Sequence, residues 1–284
     1  MAAVDATPTI EDPAYFDRLA DVEVSHWWSR GMWRLASYWL DDALRGRQGL
    51  LALDVGCGTG QTAVRLAGRP EVARVFGLDP SGDALRHARR RHDLPLIRGG
   101  ATDLPLAAGS VNLITCLDVI QHVPPGRAGD AAAEIAQVLA PGGLALVRAN
   151  GRGWSGDSSS YRLADLRGLF AGAGLRIRRA SYANFLPAVA QEVCGRISRA
   201  GQGGRSHPAG GGLAIGHRRK RTDPLMTAVS TAEAVAAGRF GLNLPFGHST
   251  LVLAEKPRKV EADSRAGFWS VVATNRPDGP GDAS

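Results

Sequence analysis

The sequence predicts an α/β protein with a mostly parallel sheet covered on both sides. Two observations carry this. Between residues 50 and 180 short apolar runs alternate with helix patterns, the rhythm of βα units. The runs are nearly unbroken in apolar character, as in strands buried on both faces. A third feature, a Gly-rich turn directly after the first run, is the kind of loop that serves nucleotide-like cofactors.

Residues 1–12 read as a loose tail, and 13–47 as a helical, aromatic segment with Tyr15, Phe16, Trp27, Trp28, Trp33, Tyr38 and Trp39. Strands are expected at Leu50–Val55, Val75–Leu78, Leu96–Arg98, Val111–Leu117, Leu144–Ala149, Leu175–Arg179 and Ser249–Glu255. Helices are expected at Thr62–Ala67, with Gly68 as C-cap, from Ser81 as N-cap to about His92, at Arg127–Leu139 ended by Pro141-Gly142-Gly143, at Leu163–Ala173 and at 224–238. Residues 201–216 hold seven glycines and read as a flexible loop, and 257–284 as a flexible tail. The domain reading is therefore a tail (1–12), an N-terminal helical lid (13–47), a main domain (48–256) with a Gly/Arg-rich insertion (196–222), and a second tail (257–284).

With 44% apolar and 21% charged residues, the chain is ordinary globular material, which excludes fully disordered and fibrous classes. The net charge of +7 is local. Arg196, Arg199, Arg205, Arg218, Arg219, Lys220 and Arg221 lie between Glu192 and Asp223 with no acid among them. A broad nucleic-acid footprint would spread over a surface. Three readings of the segment stay open: a solvated loop, contact with an anionic membrane surface or lipid-phosphate acceptor, and nucleic-acid binding. Residues 183–198 have some amphipathic character, which favours the second. Cys57, Cys116 and Cys194 are far apart, so no zinc site or disulfide framework is expected and no metal is assigned. No apolar signal region opens the sequence, and no run approaches the ~18 apolar residues of a membrane helix. The expected location is the cytoplasm.

The strongest motif is Leu51-Ala52-Leu53-Asp54-Val55-Gly56-Cys57-Gly58-Thr59-Gly60. A buried strand delivers the chain to a loop with glycines at 56, 58 and 60, and a helix follows. Glycine allows tight turning and close ligand approach, and the helix offers free N–H groups. Asp79 stands 19 residues after Gly60, at the second strand end, where an acid accepts hydrogen bonds from ribose hydroxyls. The Gly-x-Gly-x-Gly spacing differs from the dinucleotide fingerprint, since Gln61 replaces its last glycine. A carboxylate at Asp54 suits an ammonium and sits poorly beside a pyrophosphate.

These blocks resemble the class I S-adenosylmethionine (SAM)-dependent methyltransferases, and the resemblance implies a Rossmann-like seven-stranded, mostly parallel sheet with one antiparallel edge strand. LALDVGCGTG is similar to the block around the methionine part of SAM, placing Asp54, Gly56, Cys57, Gly58 and Gly60 there. GLDPS would set Asp79 at the ribose and Pro80 near the adenine; in ATDLPLAAGSVNLI, Asp103 would reach the adenine amino group with Leu104 packed nearby. CLDVIQHV, with Leu117 and His122, resembles the pocket-lining segment after the fourth strand, and LAPGGLALV the turn into the fifth. A narrower resemblance covers about 13–256, to bacterial methyltransferases of glycan, lipid-linked or secondary-metabolite pathways with Glu-x-x-His-Trp-Trp before the first strand. Here the matching residues are Glu23 to Trp28, Trp154-Ser155, Asp157, Tyr161, Leu244 to Ser249, and Lys256-Pro257. Two departures stand out. Met32-Trp33-Arg34 replaces an Arg pair, and Ser158-Ser159-Ser160 replaces the His-x-Arg-Arg run whose histidine would be a base. A different acceptor or a weak catalyst would follow.

Methyl transfer from a sulfonium mainly requires alignment, which alone supplies ~7–11 kcal/mol. A hydroxyl acceptor also gains from a base. Candidates are His122, Asp157 and Tyr161, with His248 read as a turn residue. His26, Trp27 and Trp28 read as a lid or acceptor wall, one Trp facing the core because adjacent helix residues do not share a face. The favoured activity is methyl transfer to a small-molecule, sugar or lipid-linked acceptor, O-methylation foremost. The alternatives are a SAM-binding protein of weak activity, an RNA methyltransferase using the basic loop, and a nicotinamide oxidoreductase of similar fold.

Overall fold

The computed structural model describes residues 13–151, 160–189 and 223–258. The elements run α1 (Pro13–Ser25), α2 (Trp27–Ala43), β1 (Leu50–Val55), α3 (Gln61–Ala67), β2 (Val72–Asp79), α4 (Gly82–Arg91), β3 (Leu96–Arg98), β4 (Val111–Leu117), α5 (Ala128–Val138), β5 (Leu139–Asn150), α6 (Leu163–Gly172), β6 (Arg176–Ala183), α7 (Asp223–Gly238) and β7 (Ser249–Glu255). They form a seven-stranded sheet in the order β3-β2-β1-β4-β5-β7-β6.

Strand alternation splits the core in two. Leu53, Val55, Cys116, Ala145, Val147, Val252 and Ala254 face α5 and α6. Leu50, Ala52, Leu113, Leu144, Leu146, Leu251 and Leu253 join Leu35, Trp39 and Leu40 of α2, Leu66 of α3 and Ala234 and Ala237 of α7 on the other face. At ~25 cal/mol per Å² of apolar surface removed from water, these two layers are the main drive for folding.

The helical segment 13–47 consists of two helices, because His26 leaves the helical region (ψ 136°) and its Nδ1 accepts from Trp28 N–H at 3.3 Å, capping α2. Two expectations need correction. The fifth strand starts at Leu139, not Leu144, with Pro141-Gly142-Gly143 inside it. Gly142 takes φ +80°, its N–H donates to Lys256 O at 2.8 Å, and Lys256 N–H donates to Gly143 O at 2.9 Å, so the turn residues extend the ladder. The one antiparallel strand, β7, stands one place in from the edge. It pairs antiparallel with both β5 and β6, and all seven of its residues are buried, as a strand paired on both sides requires. The Ser81 cap forms as expected, Ala84 N–H donating to Ser81 Oγ at 3.2 Å. The basic insertion 196–222 lies outside the described residues.

Candidate cofactor site

β1 lies beside β4, where the strand order reverses. Ligands bind at such switch points, outside the carboxyl ends of the strands. Asp54 and Thr115 are cross-strand partners there, and Thr115 Oγ1 donates to Asp54 Oδ1 at 2.7 Å. Gly56, Gly58 and Gly60 follow with φ of +70°, +51° and +84°. These left-handed values are open to glycine and costly to other residues. Gly56 and Cys57 N–H both donate to Leu78 O, at 2.7 and 2.9 Å, tying the loop to β2.

Asp79, at the tip of β2, accepts from Gly58 N–H at 2.9 Å and from Ser81 N–H at 2.8 Å. A carboxylate has about four acceptor sites, so this pinned acid keeps capacity for ribose hydroxyls. Burial raises the Asp79 pKa, against these two backbone hydrogen bonds. Asp54 is only 2% exposed, and its Oδ2 has no hydrogen-bond partner. Burial pushes its pKa up to about 7, opposed by the Thr115 hydroxyl and reinforced by the charges of Glu23 and Asp79.

α1 lies across this loop. Leu19 Cδ2 is 4.0 Å from where a Cβ on Gly58 would stand. Glu23 Oε2 accepts from Thr59 Oγ1, and Arg65 Nη2 donates to Glu23 O at 2.8 Å. Burial lifts the Glu23 carboxyl to about 7, against the Thr59 hydrogen bond and the positive charges of Arg65 and Arg148.

Beyond β4 the site changes character. Asp118 takes φ +60° and pairs in bidentate fashion with Arg148 of β5, Nε at 2.9 Å and Nη2 closer. The Arg148 guanidinium lies 4.8 Å from the Trp28 ring centroid, a cation–π contact. Trp28 packs against the core, while Trp27 stacks near His26 at 5.2 Å and its carbonyl accepts from Ser230 Oγ of α7.

The other site residues scatter around this centre. Cys57 is buried against β2, where its Sγ would stand 2.9 Å from a Cβ on Gly77, and burial raises its pKa. Pro80 and Asp103 are exposed, Leu104 is buried with its N–H donating to Glu134 Oε2 at 2.9 Å, and Leu117 is half-buried at the end of β4. His122 is exposed in the 3₁₀ turn Ile120–His122 after β4. Tyr161 OH donates to Ile120 O of that turn at 3.4 Å, and burial raises its pKa, which favours the neutral hydroxyl. His248 is buried, and burial lowers its pKa to about 4. Asp157, Trp154 and Ser155 lie outside the described residues. Sequence reading overlooked Arg148 and gave Glu23 no role. The available signal for Arg148 was a charge within the otherwise apolar LALVRAN run.

The geometry is that of the class I SAM-dependent methyltransferase fold, and residues 52–143 match the family model described as a methyltransferase domain. The chain therefore carries a domain of that class. Two curated relatives illustrate the match. It is 38% identical over 112 residues to a malonyl-acyl-carrier-protein O-methyltransferase of Xylella fastidiosa, covering 37% of this chain and 36% of the relative. It is 37% identical over 117 residues to a demethylmenaquinone methyltransferase of Beutenbergia cavernae, covering 41% and 46%. The chain thus spans less than half the length of either relative. Among solved structures, Haemonchus contortus phosphoethanolamine N-methyltransferase 2 in complex with SAM superposes with a TM-score of 0.56 at 17% identity, covering 87% of this chain and 58% of that one. A complex between the Haloferax volcanii Trm112 methyltransferase activator and a methyltransferase gives 0.53 at 21% identity, covering 86% and 95%. SAM is the cofactor this domain implies, and the residues fit it. An orphaned buried carboxylate oxygen suits its ammonium, a pinned acid its ribose, and a glycine loop its close approach.

Proposed function

We propose that the chain is a SAM-dependent methyltransferase acting on a small-molecule, sugar or lipid-linked acceptor, with O-methylation favoured. The observation that carries this reading is the buried Asp54, its Oδ2 unpartnered, at the β1/β4 switch point beside an acid-pinned glycine loop. SAM supplies an activated methyl group on a sulfonium. The protein's part is to bind, orient and exclude water. Asp54 and the Gly56–Gly60 loop hold the amino-acid end, Asp79 the ribose, and Pro80, Asp103 and Leu104 the adenine side. The O-methylation preference rests on relatives whose names include O-methyltransferases of malonyl-acyl-carrier protein, fatty acid and ubiquinone biosynthesis.

Arg148, Asp118 and Trp28 form the floor on the acceptor side in this reading, with α1 and the start of α2 as the lid. His122, Asp157 and Tyr161 are the proposed catalytic groups. Tyr161, with its raised pKa and its hydroxyl proton engaged by Ile120 O, offers its hydroxyl oxygen as a positioning acceptor instead of a strong base. Such a site works mainly by alignment, which suits an acceptor whose own acidity carries the proton loss.

A peripheral contact with an anionic lipid surface accompanies this reading. Leu186 and Phe246 are exposed, at 47% and 45%, with Phe246 packed on Phe185 at 4.8 Å between ring centroids. In sequence they flank the segment that carries the net positive charge, Leu186 before Arg196 and Phe246 after Arg221. Apolar insertion beside basic residues is the combination that binds anionic bilayers. Among the described residues no helix is long and apolar enough to cross a membrane.

The cofactor assignment is tested by calorimetry of SAM and S-adenosylhomocysteine binding to wild type and Asp79→Ala, with NADH as control. Saturable SAM binding weakened at least about tenfold by the substitution is expected, since hydrogen bonds to a charged group are worth ~1.5–3 kcal/mol. Folded wild type that binds NADH and no SAM would overturn the assignment.

A further inference from the structure

In the SAM reading the glycine loop and strand tips account for the ribose and the close approach to backbone, yet Asp54 faces an electrostatic conflict. It is 2% exposed, one of its oxygens has no hydrogen-bond partner, and the charged groups acting on it are the acids Glu23 and Asp79. Acids gathered without a counter-cation are costly. Glu23 belongs to a different element, α1, and needs a reason to be there. Its positive neighbours are engaged elsewhere: Arg65 donates to the Glu23 backbone carbonyl, and Arg148 is paired with Asp118.

We propose that Glu23 is a second cofactor-binding carboxylate, which holds the α-ammonium of the methionine moiety together with Asp54 and thereby seats α1 over the bound cofactor. This rests on the SAM reading of the site. The ammonium offers three donors and one positive charge, matching the unpartnered Asp54 oxygen and the Glu23 carboxylate, while Thr59 fixes the second acid through its hydroxyl. Lid closure and cofactor binding then share one contact. Leu19, one turn back on α1, covers Gly58, and the Asp17–His87 pair, 3.4 Å apart, ties α1 to α4. Cofactor entry requires α1 to lift, and the joint between α1 and α2 at His26 is where the chain leaves helical geometry.

The test compares SAM with 5′-methylthioadenosine, which has the nucleoside and thioether but no amino-acid end, on wild type and Glu23→Gln by calorimetry. Glutamine keeps an acceptor for Thr59 and removes only the charge. The expected result is SAM affinity lowered about tenfold or more with methylthioadenosine affinity unchanged. Equal weakening of both ligands, or SAM affinity within about twofold of wild type, overturns the proposal. Wild type that binds no SAM overturns the functional reading itself, a distinct outcome.

A pH series supplies a second readout. The groups facing Glu23 are Arg65 on α3, Arg148 on β5, Asp118 after β4, Asp54 on β1 and Tyr15 on its own helix. With the Glu23 and Asp54 carboxyls lifted to about 7, both are largely protonated near pH 6 in the free protein. SAM affinity should fall between about pH 7.5 and about pH 6, methylthioadenosine affinity should not, and the SAM slope should be shallower in Glu23→Gln. An identical slope in the variant counts against Glu23.

Discussion

The two halves of the site, either side of the β1/β4 switch point, are built in different ways. On the cofactor side the glycine loop itself is held through backbone N–H groups, Gly58 and Ser81 N–H on Asp79 and Gly56 and Cys57 N–H on Leu78 O, with Thr115 on Asp54 and Thr59 on Glu23 as side-chain contacts. On the proposed acceptor side they run between side chains from remote elements: Trp28 of α2 on Arg148 of β5, Arg148 on Asp118, Ser230 of α7 on Trp27, Asn184 on Ser249. The first construction depends on glycine and on a strand end, and a different side chain nearby leaves it standing. The second depends on particular side chains, so it is free to vary with the acceptor while the cofactor half stays fixed.

The largest effect that separates the halves is expected from Gly56→Ala. A Cβ there would lie 2.3 Å from Val119 Cγ2, at φ +70°. Clash and backbone strain together should cost ~2–4 kcal/mol, read as a shift in the denaturant midpoint, and SAM binding should be lost with it. An alanine variant with wild-type midpoint and affinity would show that the loop geometry is not what holds the cofactor half. Next comes Arg148→Met. It removes the partner of Asp118 and the cation on Trp28, and should lower the melting temperature by several degrees, for ~1–3 kcal/mol. SAM affinity should change by less than about threefold, because Arg148 acts on the cofactor side only through charge at Glu23. A large loss of SAM binding with an unchanged melting temperature would erase the division between the halves. The smallest effect sharpens the acceptor side alone. The double change Leu186→Ser and Phe246→Ser should reduce binding to phosphatidylserine-containing vesicles by about tenfold or more in cosedimentation, at ~0.8 kcal/mol per buried CH₂ lost, while leaving SAM affinity intact. Equal vesicle binding by wild type and variant removes the lipid contact from the reading.

The same division sets how much of the molecule was legible in its sequence. β3, β4 and β7 start and stop where apolar runs do, and the glycine loop and Asp79 sit where the spacing put them. Local backbone chemistry leaves local marks. β5 was drawn too short because Pro141-Gly142-Gly143 reads as a turn, and only pairing with Lys256 far along the chain makes it part of a strand. The break at His26 was hidden because aromatic residues continue the pattern on both sides, and the cap is a single side-chain acceptor. The place of β7 inside the sheet depends on β6 flanking it, which no local window contains. Arg148 and Glu23 were passed over for a related reason: each matters through a partner on another element.

The packing of α2 on α7 has a consequence for how the molecule is made. The two helices approach so closely that a Cβ on Gly31 would fall 2.8 Å from Ser230 Cβ, and one on Gly238 would fall 2.7 Å from the Tyr38 ring. α7 is translated roughly 180 residues after α2, some ten to forty seconds later at ordinary elongation rates. Through that interval Met32, Leu35, Trp39 and the rest of the α2 apolar face lack their helical cover, although β1 and α3 are already available to them. The nascent chain therefore carries a sticky, tryptophan-rich helix until α7 arrives, which makes α2 a natural client for chaperones and a version of the protein cut short before α7 a poor one.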